Sequence, residues 1–192
     1  MFEVFEAYIR QKNKIPDEEL EILREGSTIR KLRKGQSILN EGQIWAINCF
    51  IASGCFRLFR YDKEGVDHTA RFGVENWWIS DLESYNNNKP SEYNIEALSA
   101  STVLIWTRDR WTEILKTCPG VAKFNEELLA RGYEASQRRI FSLISSTATE
   151  KYFEFQKTYP KVFEKVPLHM VASYLGISRE TLSRIRKEYV NQ

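Results

Sequence analysis

Arg179, Glu180, Ser183 and Arg184 lie within six residues near the end of the chain. On an α-helix they would share one face. A guanidinium offers a rigid fork of donors that matches guanine O6 and N7, and a carboxylate accepts from cytosine N4. Ser178, Thr181, Arg186 and Lys187 flank them, carrying hydroxyls and cations suited to phosphate oxygens. The chemistry this set could do is recognition of duplex DNA. Side chains for catalysis are scarce. The only histidines are His68 and His169, too few for a cupin-like metal centre with two or three histidines and a carboxylate. P-loop, GxSxG and GxGxxG patterns are absent from the sequence. Neither enzyme activity nor a bound metal is expected.

A reading face works only if two crossed helices hold it, and residues 168–187, LHMVASYLGISRETLSRIRK, have that pattern. Ala172 is small where the second helix must approach the first. Four residues later Gly176 can take the positive φ of a sharp turn without steric cost. Val171, Leu175, Ile177, Leu182 and Ile185 fall where they can plug the space between the helices. Ser178 can cap the second helix, and Pro167 suits the start of the first. The competing description is an ordinary amphipathic hairpin with a solvated charged face. Charge distribution separates the two: from residue 131 onward there are 11 Lys/Arg against 6 Asp/Glu, whereas residues 1–130 hold 17 against 20. The basic excess coincides with the motif.

The preceding chain changes period twice. Residues 1–25 read as short helices, with Pro16 and Asp17-Glu18-Glu19 at a helix start and Gly26 at its end. Residues 27–108 alternate β-rich pieces (Thr28–Leu32, Cys49–Ala52, Cys55–Tyr61, Thr102–Trp106) with glycine turns at Gly35, Gly42, Gly54, Gly65 and Gly73. Asp62–Gly65 reads as a hairpin turn and Asn86–Ser91 as a loop. Spacing of about 8–12 residues between turns suggests an antiparallel barrel or sandwich and not βαβ units, giving an α+β chain. A short helix should end near Cys118. A long one, about Val121–Ser146, then carries apolar Val121, Phe124, Leu128, Ala135, Ile140, Leu143 and Ile144. That stripe must pack on its own roll or form a dimer seam, and a homodimer is expected. Gly132 inside it costs about 1 kcal/mol of helix propensity unless another backbone comes close. Residues 148–159 form another helix stopped by Pro160, and 161–166 a connector. The expected domains are 1–118, 119–147 and 148–192.

With 42% hydrophobic residues the chain can bury a sizeable core. Three cysteines (Cys49, Cys55, Cys118) without CxxC spacing suit buried thiols and not an iron–sulfur cluster. No signal peptide is read at the N-terminus and no membrane-spanning run is present, so a cytoplasmic location is expected.

Together, Lys34–Gly42 (KGQSILNEG), Phe50–Gly54 (FIASG) and Ser178–Arg184 (SRETLSR) resemble the Crp/Fnr superfamily of bacterial transcription regulators over nearly the whole chain. The resemblance implies a β-roll effector domain, a dimerisation helix and a DNA-reading helix-turn-helix. It also implies base contacts from the residues matching Arg179, Glu180 and Arg184. Glu180-x-x-Ser183-Arg184 is similar to Fnr-type readers of TTGA-containing half-sites, so a palindrome of such half-sites is expected. RNA polymerase is a further partner that the resemblance allows. Family members usually continue into a β-hairpin wing; this sequence ends at Gln192, so a short form lacking the wing is expected. The ligand site also departs from the pattern. Where nucleotide binders have Gly-Glu-Leu, this chain has Trp78-Ile79-Ser80-Asp81, and the Arg-Ser match falls near Ser91-Glu92. A cyclic phosphate needs neutralising cations. Asp81, Glu83 and Glu92 would repel it, and between Arg71 and Arg108 only Lys89 is basic. Cyclic-nucleotide response is therefore not expected, although Trp77 and Trp78 could line a pocket for another, unknown effector. The alternative is a small-ligand-binding roll, for a cyclic nucleotide or another molecule, that acts through protein–protein contacts.

Overall fold

The computed structural model describes residues 1–160 and 162–190. These form two compact units, one of residues 1–58 with 72–130, the other of residues 59–71 with those from 131 onward.

In the first unit, α1 (Phe2–Lys12) and α2 (Asp17–Glu25) precede the strands. Pro16 stands at the α2 N-cap with φ −58°, and three acids in the first turn complement the helix dipole. Eight strands follow: β1 (Thr28–Leu32), β2 (Ser37–Leu39), β3 (Ile47–Ser53), β4 (Cys55–Tyr61), β5 (Asp67–Val74), β6 (Trp77–Ile79), β7 (Asn94–Ala97) and β8 (Ser101–Thr107). They make two four-stranded sheets, ordered β1-β8-β3-β6 and β2-β7-β4-β5. Such crossed order is that of a roll. Alternation along β3 explains why its residues are nearly all apolar. Phe50 and Ala52 face a core shared with α1, α2 and the helices after β8. Ile51 points the other way, where a Cβ added to Gly73 on β5 would lie 2.7 Å from its Cδ1. Trp106 donates its indole N–H to the Leu23 carbonyl and stacks on Trp78 at 5.6 Å between centroids.

Helices α3 (Leu82–Asn87), α4 (Arg108–Thr117) and the first part of α5 (Pro119–Ser145) complete this unit. Thr107 caps α4 through the Arg110 N–H. The Glu19 carboxylate of α2 accepts from the Gly120 and Val121 amides, satisfying the start of α5. Two expectations need correcting. Gly73 is inside β5 and makes no turn; Asn76, at φ 67°, takes the left-handed position between β5 and β6. Asn86 and Asn87 close α3, so the loop starts at Asn88, φ 53°. In each case a side-chain-compatible Asn replaced the glycine that turn chemistry suggests.

The second unit contains the outer part of the β4–β5 hairpin, the later half of α5, and α6 (Ala148–Thr158), α7 (Val162–Lys165), α8 (Leu168–Leu175) and α9 (Arg179–Val190). The connector expected at 161–166 therefore holds a short helix; its first residue, Lys161, is outside the described residues. Thr147 and Glu150 form a complete capping box at the start of α6. Phe155 is the hub of the aromatic core, 5.0 Å from Tyr159, 5.0 Å from Phe163 and 5.3 Å from Tyr174 between ring centroids. Burial, with the Tyr174 hydroxyl beside it, pushes the Tyr159 phenol well above its ordinary range.

Candidate nucleic-acid interface

Helix α8 stops because Gly176 takes φ 64°, ψ 37°, with its N–H returned to the carbonyls of Ala172 and Ser173. The Ile177 amide bonds to the Ala172 carbonyl at 3.1 Å. Ser178 then accepts the Thr181 N–H at 3.1 Å and caps α9, while its own hydroxyl donates to Thr181 Oγ at 3.0 Å. Both hydroxyls assigned to phosphates from the sequence are thus engaged with each other. Val171, Ala172, Leu175, Leu182 and Ile185 are all buried between the helices, and Ile177 is half-buried. This plug fixes the crossing of α8 and α9.

The outer face of α9 carries the expected set. Arg179, Glu180, Arg184 and Lys187 are exposed, and Ser183 is half-buried. Together with Glu188 they line an open depression of about 610 Å³. None of the four charged groups is paired with another described residue. An exposed, unengaged guanidinium–carboxylate set keeps its hydrogen-bonding capacity for a ligand. Arg186 lies to the side, half-buried, its guanidinium 5.8 Å from the Phe163 ring. Glu188 escaped the sequence reading; its position one turn beyond Arg184 on the same face was the available signal.

Along α5 the expected stripe is split. Val121 and Phe124 are fully buried, with Leu128 packed beside them, in the core of the first unit. Ala135 is exposed. In the second unit Ile140, Leu143 and Ile144 are exposed, and so are Tyr133 and Phe141, which the sequence reading omitted. A Cβ at Gly132 would meet nothing within 4 Å.

The five residues proposed for a ligand pocket do not converge. Trp78 is packed in the aromatic core, 5.9 Å from Phe5 and 5.4 Å from Trp111. Trp77, half-buried, pairs with Ile51 on the alternate face of β6. Asp81 is buried and fully used: it caps α3 through the Glu83 and Ser84 amides and accepts the Ser91 hydroxyl at 2.6 Å. Lys89 pairs with Glu83 at 2.6 Å, and Glu92 is exposed. Among the described residues no cluster of His, Cys, Asp or Glu could hold a metal. No helix among them is long and apolar enough to cross a membrane.

Comparison with known proteins bears on the fold. Residues 29–118 match the cyclic nucleotide-binding domain family. No curated protein sequence matches the chain. Among solved structures it is similar to FixK2 from Bradyrhizobium japonicum, with 16% identity, TM-score 0.72, and 86% of this chain and 85% of that one covered. It is also similar to a protein from Eubacterium rectale described as a transcriptional regulator of the Crp/Fnr family, at 19% identity, TM-score 0.69, and coverage of 96% and 88%. The catabolite activator protein of Thermus thermophilus matches at 21% identity, TM-score 0.57, and coverage of 92% and 84%. The fold shared with these structures is a cyclic-nucleotide-binding-like roll, a long helix and a terminal helix pair.

Proposed function

We propose that this protein is a sequence-specific DNA-binding transcriptional regulator that acts as a homodimer and is not an enzyme. The observation that carries the reading is the face of α9: Arg179, Glu180 and Arg184 are exposed and, among the described residues, unpaired, on a helix held by a buried plug. Arg179, Glu180, Ser183 and Arg184 read base edges, while Arg186 and Lys187 hold phosphates. The Ser178–Thr181 pair sets the helix start and touches the backbone at most through its remaining lone pairs. Two copies joined through the exposed half of α5, Tyr133 to Ile144, present two reading helices to successive major grooves roughly 34 Å apart. A palindrome with TTGA-containing half-sites is the proposed target.

The roll does not respond to cyclic nucleotides: Asp81 is committed to α3 and Ser91, and Lys89 to Glu83, so Lys89 is not free to neutralise a cyclic phosphate. The family match of residues 29–118 favours the second reading, a ligand-binding roll. Calorimetry with cyclic AMP and cyclic GMP decides between them, and micromolar binding would overturn the unresponsive roll. The DNA proposal is tested by selection from random duplexes. It expects enrichment of an inverted repeat with TTGA half-sites; a pool that stays random at physiological salt refutes it.

A further inference from the structure

The last turn of α8 is held from two sides by groups that the reading face does not use. On one side, Arg139 of α5 lays its guanidinium over the Tyr174 ring, 3.5 Å from the centroid, and donates to the Tyr174 carbonyl at 2.9 Å. That carbonyl belongs to a helix end whose last C=O groups lack intrahelical partners, so a cation is doubly suited there. On the other side, the Ser173 hydroxyl accepts the Thr69 N–H at 2.9 Å and donates to the Asp67 carbonyl at 3.4 Å. Thr69 is 3% exposed, so water does not compete for its amide. The Tyr174 ring is backed by Phe155 and Tyr159, at 5.3 and 5.7 Å. Leu143 completes the grip, 3.6 Å from where a Cβ on Gly176 would stand.

Stability of the helix pair needs none of this, because the α8–α9 plug is already buried. Two anchors on adjacent residues do something a single one cannot: they stop α8 from pivoting against α5. Since the plug locks α9 to α8, the reading helix inherits that fixed angle. At about 1.5 Å per residue, the 12-residue α9 is roughly 18 Å long. A pivot of about 10° would carry its far end by about 3 Å, close to the ~3.4 Å rise of one base pair. Angular play of that size would blur which half-site spacing fits.

We infer that Arg139, Ser173 and Tyr174 are positioning residues that set the angle of the reading helix against α5, and through it the half-site spacing the protein accepts. The spacing consequence rests on the DNA-reading proposal; the angle itself does not.

The test uses the full chain labelled at Glu134→Cys and Glu188→Cys, both exposed sites, and diluted with unlabelled protein so that each pair reports one molecule. Cys49, Cys55 and Cys118 are buried and take no label. Electron–electron distance measurement should give one narrow distribution for this background. Arg139→Ala, Arg139→Lys (charge kept, planar fork lost) and Ser173→Ala should each broaden it, with helicity and cooperative unfolding retained. Ser173→Thr, which keeps the hydroxyl, should restore it. Distributions as narrow as the parent's in Arg139→Lys and Ser173→Ala overturn the inference. On duplexes with half-sites moved by one base pair, the parent should lose about tenfold in affinity and Arg139→Lys less than about threefold. Broadened distances in a protein that binds no duplex would leave the positioning role standing and remove the DNA reading.

Discussion

Substituting Ile144 by Glu should convert the dimer to a monomer. Ile144 is 80% exposed, Phe141 71%, Tyr133 68%, Ile140 51% and Leu143 40%, all on the later half of α5. Full burial of such a side chain is worth about 1.5–3 kcal/mol. Scaled by exposure, the five contribute roughly 6 kcal/mol per protomer and about 12 for the pair. Association costs an estimated ~4–15 kcal/mol, so the seam leaves little surplus and each side chain matters. Losing Ile144 from both copies removes about 3 kcal/mol, or roughly 100-fold in dissociation constant, and two carboxylates in the seam add desolvation and repulsion. Sedimentation equilibrium across micromolar concentrations reads this directly. Ile29→Glu, at another exposed apolar site (51%) on β1, should remain dimeric. A parent chain that is monomeric at tens of micromolar, or a dimer indifferent to Ile144→Glu, would refute the seam.

Gly54→Ala should destabilise the roll strongly, by about 2–4 kcal/mol in thermal unfolding. Gly54 has φ 105° and an added Cβ would lie 2.8 Å from the Ser101 Cα. Gly132→Ala, made in the monomeric Ile144→Glu background where nothing approaches, should instead raise stability by up to about 1 kcal/mol. Thr147→Ala should cost about 1 kcal/mol through the lost cap. The Thr147 N–H holds the Glu150 carboxyl below its ordinary value. The ionised cap therefore contributes at neutral pH and is lost as pH falls through the carboxylate range. Melts of the parent and a Glu150→Ala variant should therefore converge in acid, and a constant difference would contradict that cause.

How much was legible in the sequence follows from how local each determinant is. β1 and β4 start and stop where β-branched and aromatic runs meet glycines, so Thr28–Leu32 and Cys55–Tyr61 agree with the structure to the residue. The helix pair was readable because Ala172, Gly176 and Ser178 each answer a backbone demand within a dozen residues. The α5 stripe was not. Its periodicity marks apolar positions but cannot say that Phe124 enters a core while Tyr133 and Phe141 face outward. Asp81 looked like a pocket acid because sequence shows its charge and hides its three partners. The Ser173 anchor joins residues more than a hundred positions apart, beyond the reach of any local pattern.

One titration shows directly what the outer face of α9 touches. Parent, Arg184→Ala and Lys187→Ala proteins are titrated onto the selected palindrome and onto its scrambled counterpart over a range of salt. Arg184→Ala should lose about 1–3 kcal/mol on the palindrome alone, erasing the preference, whereas Lys187→Ala should weaken both duplexes alike and flatten the salt slope. Equal losses from Arg184→Ala on both duplexes, or no loss on either, would contradict the assignment of this face to base reading.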